Sequence, residues 1–419
     1  MTPANTELQT HLQEYAKLII RSGCNLQPGQ ELLLSCNIDV VEFARLLVAE
    51  AYAAGAKRVT VRFSDEQIVR MAYENVAIEC FKEVPEWVAL LNNSMARNGA
   101  AILRIESDDP QALEGIDPQK LAAQAVASHK ACKEFYDAID QGRLVWSIAG
   151  AASPAWARKV FPDMPEDQAV RSLWEAILKT VRVGGSDDAI VAWENHRTSF
   201  TRRSEWLNAQ NFDSLHYQNS LGTDLTVGLN PKGIWKGGGD ILTNGRPFFP
   251  NMPTEEIFTT PDRLRADGVV HSSMPLVHNG SIVEDFSVTF RDGQAVDCKA
   301  RVGLDILKSI IETDADSNRL GECALVPWTS PIRQSGLLFY STLYDENASC
   351  HLALGMGFPD CLEGGTEMSE DELKANGVNK SATHVDFMIG TKDLNITGHR
   401  PDGSEATIFQ AGEWAGELV

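Results

Sequence analysis

The sequence predicts an α/β N-terminal domain with a largely parallel sheet, followed by an α+β, strand-rich C-terminal domain. Two observations carry this expectation. Up to about residue 150, helical and strand patterns alternate, the order that leads parallel strands through helical crossovers. From roughly residue 211 onward, strand and turn signals dominate. The 419 residues suffice for two or three domains with a substantial core in each. A boundary near 205 divides the chain into 1–205 and 206–419.

The elements follow in order. Leu8, Leu12, Tyr15 and Ile19 recur at helical spacing, and "ELLLSC" (31–36) is a short apolar strand. In "VVEFARLLVAEAYAAG" the residues Val40, Phe43, Leu47 and Ala51 line one helical face, and Gly55 supplies a C-terminal stop. "RVTVRF" (58–63), "AAILRIES" (100–107) and "RLVWSIAG" (143–150) read as further strands. Helical stretches at about 165–182 and 187–209 lead out of this region. Beyond them come "GTDLTVGL", "GVVHSSMPLVHNGSIVEDFSVTFRDGQAV" and "EATIFQAGEW", interrupted by a helix near 301–313. No internal repeat or low-complexity tract is visible.

Composition narrows the function. With 43% hydrophobic and 23% charged residues, the chain reads as an ordinary globular protein. Its 37 Lys and Arg against 58 Asp and Glu give a net charge of −21 and a pI near 4.8, which disfavours nucleic-acid partners and favours cations and ammonium-bearing ligands. Cysteines at 24, 36, 80, 132, 298, 323, 350 and 361 form no CxxC pair, so neither a zinc knuckle nor a disulfide scaffold is expected. No signal-like N-terminus or membrane-length apolar run stands out, so no membrane partner is expected and the cytoplasm is the default location.

The chemistry concentrates in the second half. "GGGD" (237–240) and "EGG" (363–365) lack the spacing of a phosphate cradle and read as turns. "THVDFMIG" (383–390) alternates with period two, placing Val385, Phe387 and Ile389 on one side and His384, Asp386 and Met388 on the other. His384 and Asp386 then share a face, with backbone positions roughly 7 Å apart. They could converge on one cation or on two neighbouring ones, or they could be a buried pair bonded to each other. In "NMPTEEIFTTP" (251–261), Glu256, Phe258 and Thr260 would face one way on a strand, although a solvated acidic loop is the simpler reading. Glu322 in "RLGECALVP" (319–327) could be an exposed cap or edge residue. His351 in "YDENASCHLALG" (344–355) precedes an apolar run and should be partly buried, as hydrogen-bonded core histidines often are. Together these segments offer three carboxylates and two imidazoles, a suitable donor set for a pair of divalent ions such as zinc, cobalt, manganese or magnesium. Tens of residues separate the segments, so spacing alone does not group them.

Taken in order, "NMPTEEIFTTP", "RLGECALVP", "DENASCHLALG" and "THVDFMIG" closely resemble the thermophilic metalloaminopeptidases, the group of aminopeptidases T, S and II. The likeness extends through "NLQPGQELLLSC", "FARLLVAEAYAAGAKRVTVRF", "VPEWV" and "GTDLTVGL", and so covers nearly the whole chain. It implies a homodimeric exopeptidase with two divalent metal ions per chain in the C-terminal domain, acting on peptides with a free N-terminus. The metal ligands it implies are Glu256, Glu322, His351, His384 and Asp386, with the bridging residue left open. Glu255 is the candidate general acid/base, though on a strand it would point away from its neighbour Glu256. One departure stands out: where the family carries a tyrosine seven residues after the ligand histidine, this chain has Phe358. Seven residues before His351, where phenylalanine is usual, it has Tyr344. Either a hydroxyl has moved or both are packing exchanges. The competing readings are a catalytically weak or inactive member serving as a metal-containing binding or structural dimer, and a hydrolase of some other amide.

Overall fold

A computed structural model describes residues 3–278 and 281–419; Asn279 and Gly280, inside the strand-rich stretch, lie outside the described residues. The chain divides into two compact units, one of residues 1–195 and 239–253, the other of 196–238 and 254–419. The division differs from the expected boundary near 205 in two ways. It falls after residue 195, about ten residues earlier within the same helix Ala189–Gln210, and it returns a short segment to the first unit because Asn251–Met252 pairs with Trp146–Gly150.

The first unit is built on a five-stranded parallel sheet. Its order is Asn251–Met252, Trp146–Gly150, Ala101–Glu106, Glu31–Asn37 and Arg58–Ser64. The four strands read from the sequence are all present, trimmed or extended by one to three residues at their ends. Helix Val41–Ala53 buries Phe43, Ala44, Leu47 and Ala51, and Val40 precedes it in a 3₁₀ turn. Gly55 follows its C-cap with φ of 93°, the left-handed conformation that a helix stop needs and that glycine adopts without strain. The two later helices run over Glu166–Thr180 and Ala189–Gln210.

The second unit holds two antiparallel sheets. The larger has nine strands among the described residues; Leu276–His278, Ser281–Arg291, Pro261–His271, Asp224–Leu229, Ser214–Gln218, Asn395–His399, Glu405–Gln410 and Glu413–Trp414 lie in that order, with Gln294–Val302 on Ser281–Arg291. The expected helix appears as Leu304–Ile311. The smaller sheet runs His384–Met388, His351–Gly355, Leu320–Leu325, Ile257–Thr259, Lys236–Gly237. "GGGD" is not a simple turn: Gly237 ends the strand Lys236–Gly237 and Asp240 begins Asp240–Ile241, with a bend at Gly238 between them, whereas "EGG" makes a turn that leads into the 3₁₀ turn Gly365–Glu367.

Alternation gives the smaller sheet two different faces. Ile257, Cys323, Leu325, Leu352, Leu354, Val385 and Phe387 point into one apolar core, which Leu215, Tyr217, Val227, Phe286 and Val288 of the larger sheet complete. The Phe286 and Phe387 rings meet there at 5.8 Å. The intervening positions, Glu322, His351, His384 and Asp386, must project from the opposite face. Register brings them level: Glu322 lies beside Ala353, and Ala353 beside Asp386. His384 stands opposite Gly355, whose φ is 104° and whose missing Cβ would lie 2.1 Å from the Thr383 carbonyl. Only glycine lets the two strands close at that point.

Candidate metal centre

The five residues singled out in the sequence converge. Ligand atoms of Glu256, Glu322 and His351 lie within 4.8 Å of one another, and so do those of Glu322, His384 and Asp386. Glu322 belongs to both groups. Each local reading of a solvent-facing acid gives way here. Glu256 is 8% exposed and Glu322 4%, because both flank or occupy strands of the inner sheet rather than a loop or an edge. His351 is 1% exposed, more deeply placed than its neighbours suggested.

Backbone carbonyls fix both imidazoles. His351 Nδ1–H donates to Ser349 O at 3.0 Å, and His384 Nδ1–H donates to Met356 O at 2.7 Å. A carbonyl can only accept, so each ring keeps its proton on Nδ1 and turns Nε2 toward the carboxylates. His351 Nε2 lies 3.2 Å from Glu256 Oε2; His384 Nε2 lies 3.2 Å from Glu322 Oε2 and 3.1 Å from Asp386 Oδ1. A second-sphere carbonyl behind each ring is the usual support of a metal-binding histidine.

Glu346 joins the cluster, and the sequence reading missed it. It sits on the 3₁₀ turn Glu346–Ala348, half-buried. Burial first, and then the charges of Glu256, Asp386 and Glu322, hold its carboxyl well above the ordinary range. Its neighbour Asp345 has a structural task, accepting the backbone N–H groups of Phe339 and Ser341. The only signal was position: an acid five residues before His351, inside a segment already singled out. Glu255 is buried too, but its Oε2 lies 3.7 Å from His196 Nε2, and it belongs to neither ligand group. The Phe358 ring stands 4.9 Å from that of His384 and edge-on to Phe258 at 5.6 Å. Tyr344 is fully buried and stacks on Phe339 at 4.7 Å.

The electrostatics fit a cation. Burial, together with the Asp386 and Glu256 charges, pushes Glu322 up to about 7 despite its bond to His384. Burial works against charge on His351, yet the Glu256 bond and the surrounding acids lift it to about 10. His384 rises to about 11 in the same way, through Asp386 and Glu322. In return, the His384 bond and charge hold Asp386 below the usual carboxylate range against its burial. Without an ion, the cluster offsets its acids by protonating its imidazoles. Carboxylate and imidazole donors, already gathered and with Nε2 turned inward, suit divalent zinc, cobalt or manganese.

Residues 8–414 match the family described as thermophilic metalloprotease (M29). The chain is 46% identical to aminopeptidase AmpS of Bacillus subtilis, over 96% of this chain and 98% of that one. It is 40% identical to aminopeptidase 2 of Geobacillus stearothermophilus, over 98% and 99%. Among solved structures, wild-type AmpT from Thermus thermophilus superposes with a TM-score of 0.90 at 39% identity, over 97% of this chain and 100% of that one.

A pH consequence follows for the metal-free protein. Rings with folded values near 10 and 11 carry their extra protons at pH 8, whereas metal ligation requires neutral imidazole. Metal uptake at pH 8 should therefore release protons and tighten as pH rises toward those values. The same raised values stabilise the metal-free fold fully below the unfolded histidine pKa of about 6.5. That contribution is lost as pH climbs through 10 to 11. Calorimetric zinc titrations in buffers of different ionisation enthalpy should give different apparent heats; identical heats would mean that no proton leaves.

Proposed function

This chain belongs to the thermophilic metalloprotease (M29) family, and from that premise we propose that it is a two-metal aminopeptidase releasing the N-terminal residue of peptides. The observation that carries the reading is the pair of donor triads sharing Glu322. Glu256 and His351 would hold one divalent ion, His384 and Asp386 the other, with Glu322 common to both. Two such ions supply Lewis acidity for the scissile carbonyl and a water acidic enough to attack it near neutral pH. Zinc, cobalt, manganese and magnesium are the candidate ions.

The chain's own groups do the rest. The Ser349 and Met356 carbonyls keep the two imidazoles in the ligating tautomer. Glu346, in neither triad yet within reach of their charges, is the carboxylate placed to take the proton from the attacking water and pass it to the leaving amine. It suits this role better than Glu255, whose carboxylate is turned to His196. The acidic surroundings favour a substrate whose α-amino group is free. No helix among the described residues is long and apolar enough to cross a membrane. A homodimer, for which the family resemblance speaks, and a cytoplasmic location complete the reading.

The direct experiment follows amino acids released from a short peptide by the purified protein. Release should stop with a chelator and be absent for the N-acetylated peptide; equal cleavage of acetylated and free peptides would rule out an exopeptidase.

The ligand face can be altered without touching the core face. His384→Ala or Asp386→Ala should lose most bound metal and nearly all turnover while the far-UV spectrum stays native, because Val385 and Phe387 still pack inward. Full activity in either variant would remove these residues from the site.

Phe358 supplies a third test. A phenol there would stand beside the His384 ring, close enough to donate to a developing oxyanion. Such a donor contributes up to ~3–4 kcal/mol, about 100- to 1,000-fold in rate. Phe358→Tyr should raise kcat more than it changes KM, with metal content held constant. Tyr344→Phe, altering a ring packed on Phe339, should leave kcat unchanged. A flat response to the first change or a collapse after the second would reverse the assignment.

A further inference from the structure

Asn347 is fully buried, and its amide joins two segments that are distant in sequence and carry carboxylates of the site. Its Oδ1 accepts the backbone N–H of Glu255 at 2.6 Å, one residue before the ligand Glu256. Its Nδ2 donates to Leu343 O at 3.1 Å and to Glu346 Oε1 at 3.3 Å. Its own carbonyl accepts the Ser330 hydroxyl at 2.7 Å, which fixes the backbone beneath the side chain. The bonds to the Leu343 carbonyl and the Glu255 N–H settle which way the amide points: nitrogen toward the acceptor, oxygen toward the donor.

We propose that Asn347 is a positioning residue, whose amide holds the Glu346 carboxylate in register with the backbone that carries Glu256. The proposal rests on the reading of Glu346 as proton carrier and Glu256 as ligand. The chemistry of the residue type supports it. One planar group must accept from one segment and donate twice to another; aspartate has the shape without the donors, and leucine has neither donor nor acceptor. Glu346 sits on the short 3₁₀ turn Glu346–Ala348, and the Asn347 amide gives its carboxylate a hydrogen bond. With one oxygen held by Nδ2–H, the other keeps a constant direction, the condition for repeated proton transfer at a fixed distance. Because an amide does not ionise, the hold is the same at any working pH.

The test is a double-mutant cycle with zinc affinity, by competition with a chelator, as a readout independent of turnover. Asn347→Asp keeps the acceptor for the Glu255 N–H and loses the donor to Glu346. It should lower kcat about 10- to 100-fold with little change in KM, and bind zinc no more weakly than the wild type. In the Glu346→Gln background the same change should cost no more than about twofold, since what it positions is already gone. Asn347→Leu loses the acceptor as well and should weaken zinc binding about 10- to 100-fold. If Asn347→Asp does not fold, Asn347→Ser takes its place in the cycle, its hydroxyl too short to reach Glu346. An equal loss in both backgrounds would overturn the proposal, as would unchanged zinc affinity in Asn347→Leu. A Glu346→Gln protein that turns over at the wild-type rate would instead refute the proton-carrier reading, a result distinct from the other two.

Discussion

Among the described residues, Glu256, Glu322, Glu346 and Asp386 crowd together with the imidazoles of His351 and His384 to offset them, and the architecture of the second unit depends on how that charge is met. Each pair of like charges some 5 Å apart costs about 3 kcal/mol at an effective dielectric near 20. Desolvation adds to that cost. The metal-free chain meets it by drawing protons onto His351 and His384 and by raising the carboxyls of Glu322 and Glu346. A divalent ion meets it without protons. The arrangement is thus a poor way to stabilise a fold and a good way to bind cations.

Such a cluster needs a frame that does not yield to its repulsion. The inner sheet provides one by anchoring each ligand strand through the residues on either side of the ligand. Val385 and Phe387 flank Asp386 and are packed in the core; Leu352 follows His351, and Cys323 follows Glu322. Moving a ligand outward would pull an apolar neighbour toward water, at a cost of about 1.5–3 kcal/mol per large side chain. Loops would resist far less. That four of the five candidate donors sit on neighbouring strands, with Glu256 at a strand's edge, suits the charge they bring together.

The parts of this design that could be read in the sequence are those with local period. The parallel strands of the first unit and the two-sided strand at His384 show their alternation within a few residues. The pairing that sets Glu322 beside Ala353, and Ala353 beside Asp386, joins segments tens of residues apart and leaves no trace in any of them. Burial of Glu256 and Glu322 is equally invisible locally, since an acid between prolines or ahead of an apolar run usually faces water. Glu346 shows the limit best: it adjoins Asp345, another acid, at the junction of two short helical turns. Only the tertiary structure separates the residue that caps backbone from the one that enters the cluster. The family resemblance grouped the ligands where spacing could not, and the structure supplies the reason they group.

Metal binding at this cluster would be thermodynamically linked to the stability of the second unit. The clustered side chains come from segments spread between Glu256 and Asp386, each triad draws on more than one segment, and Glu322 belongs to both. The unfolded chain presents the same side chains far apart, so nearly all of the binding free energy counts toward the folded state. An ion held there would reinforce the strand pairing that gathers the cluster, because it would relieve the repulsion among the acids.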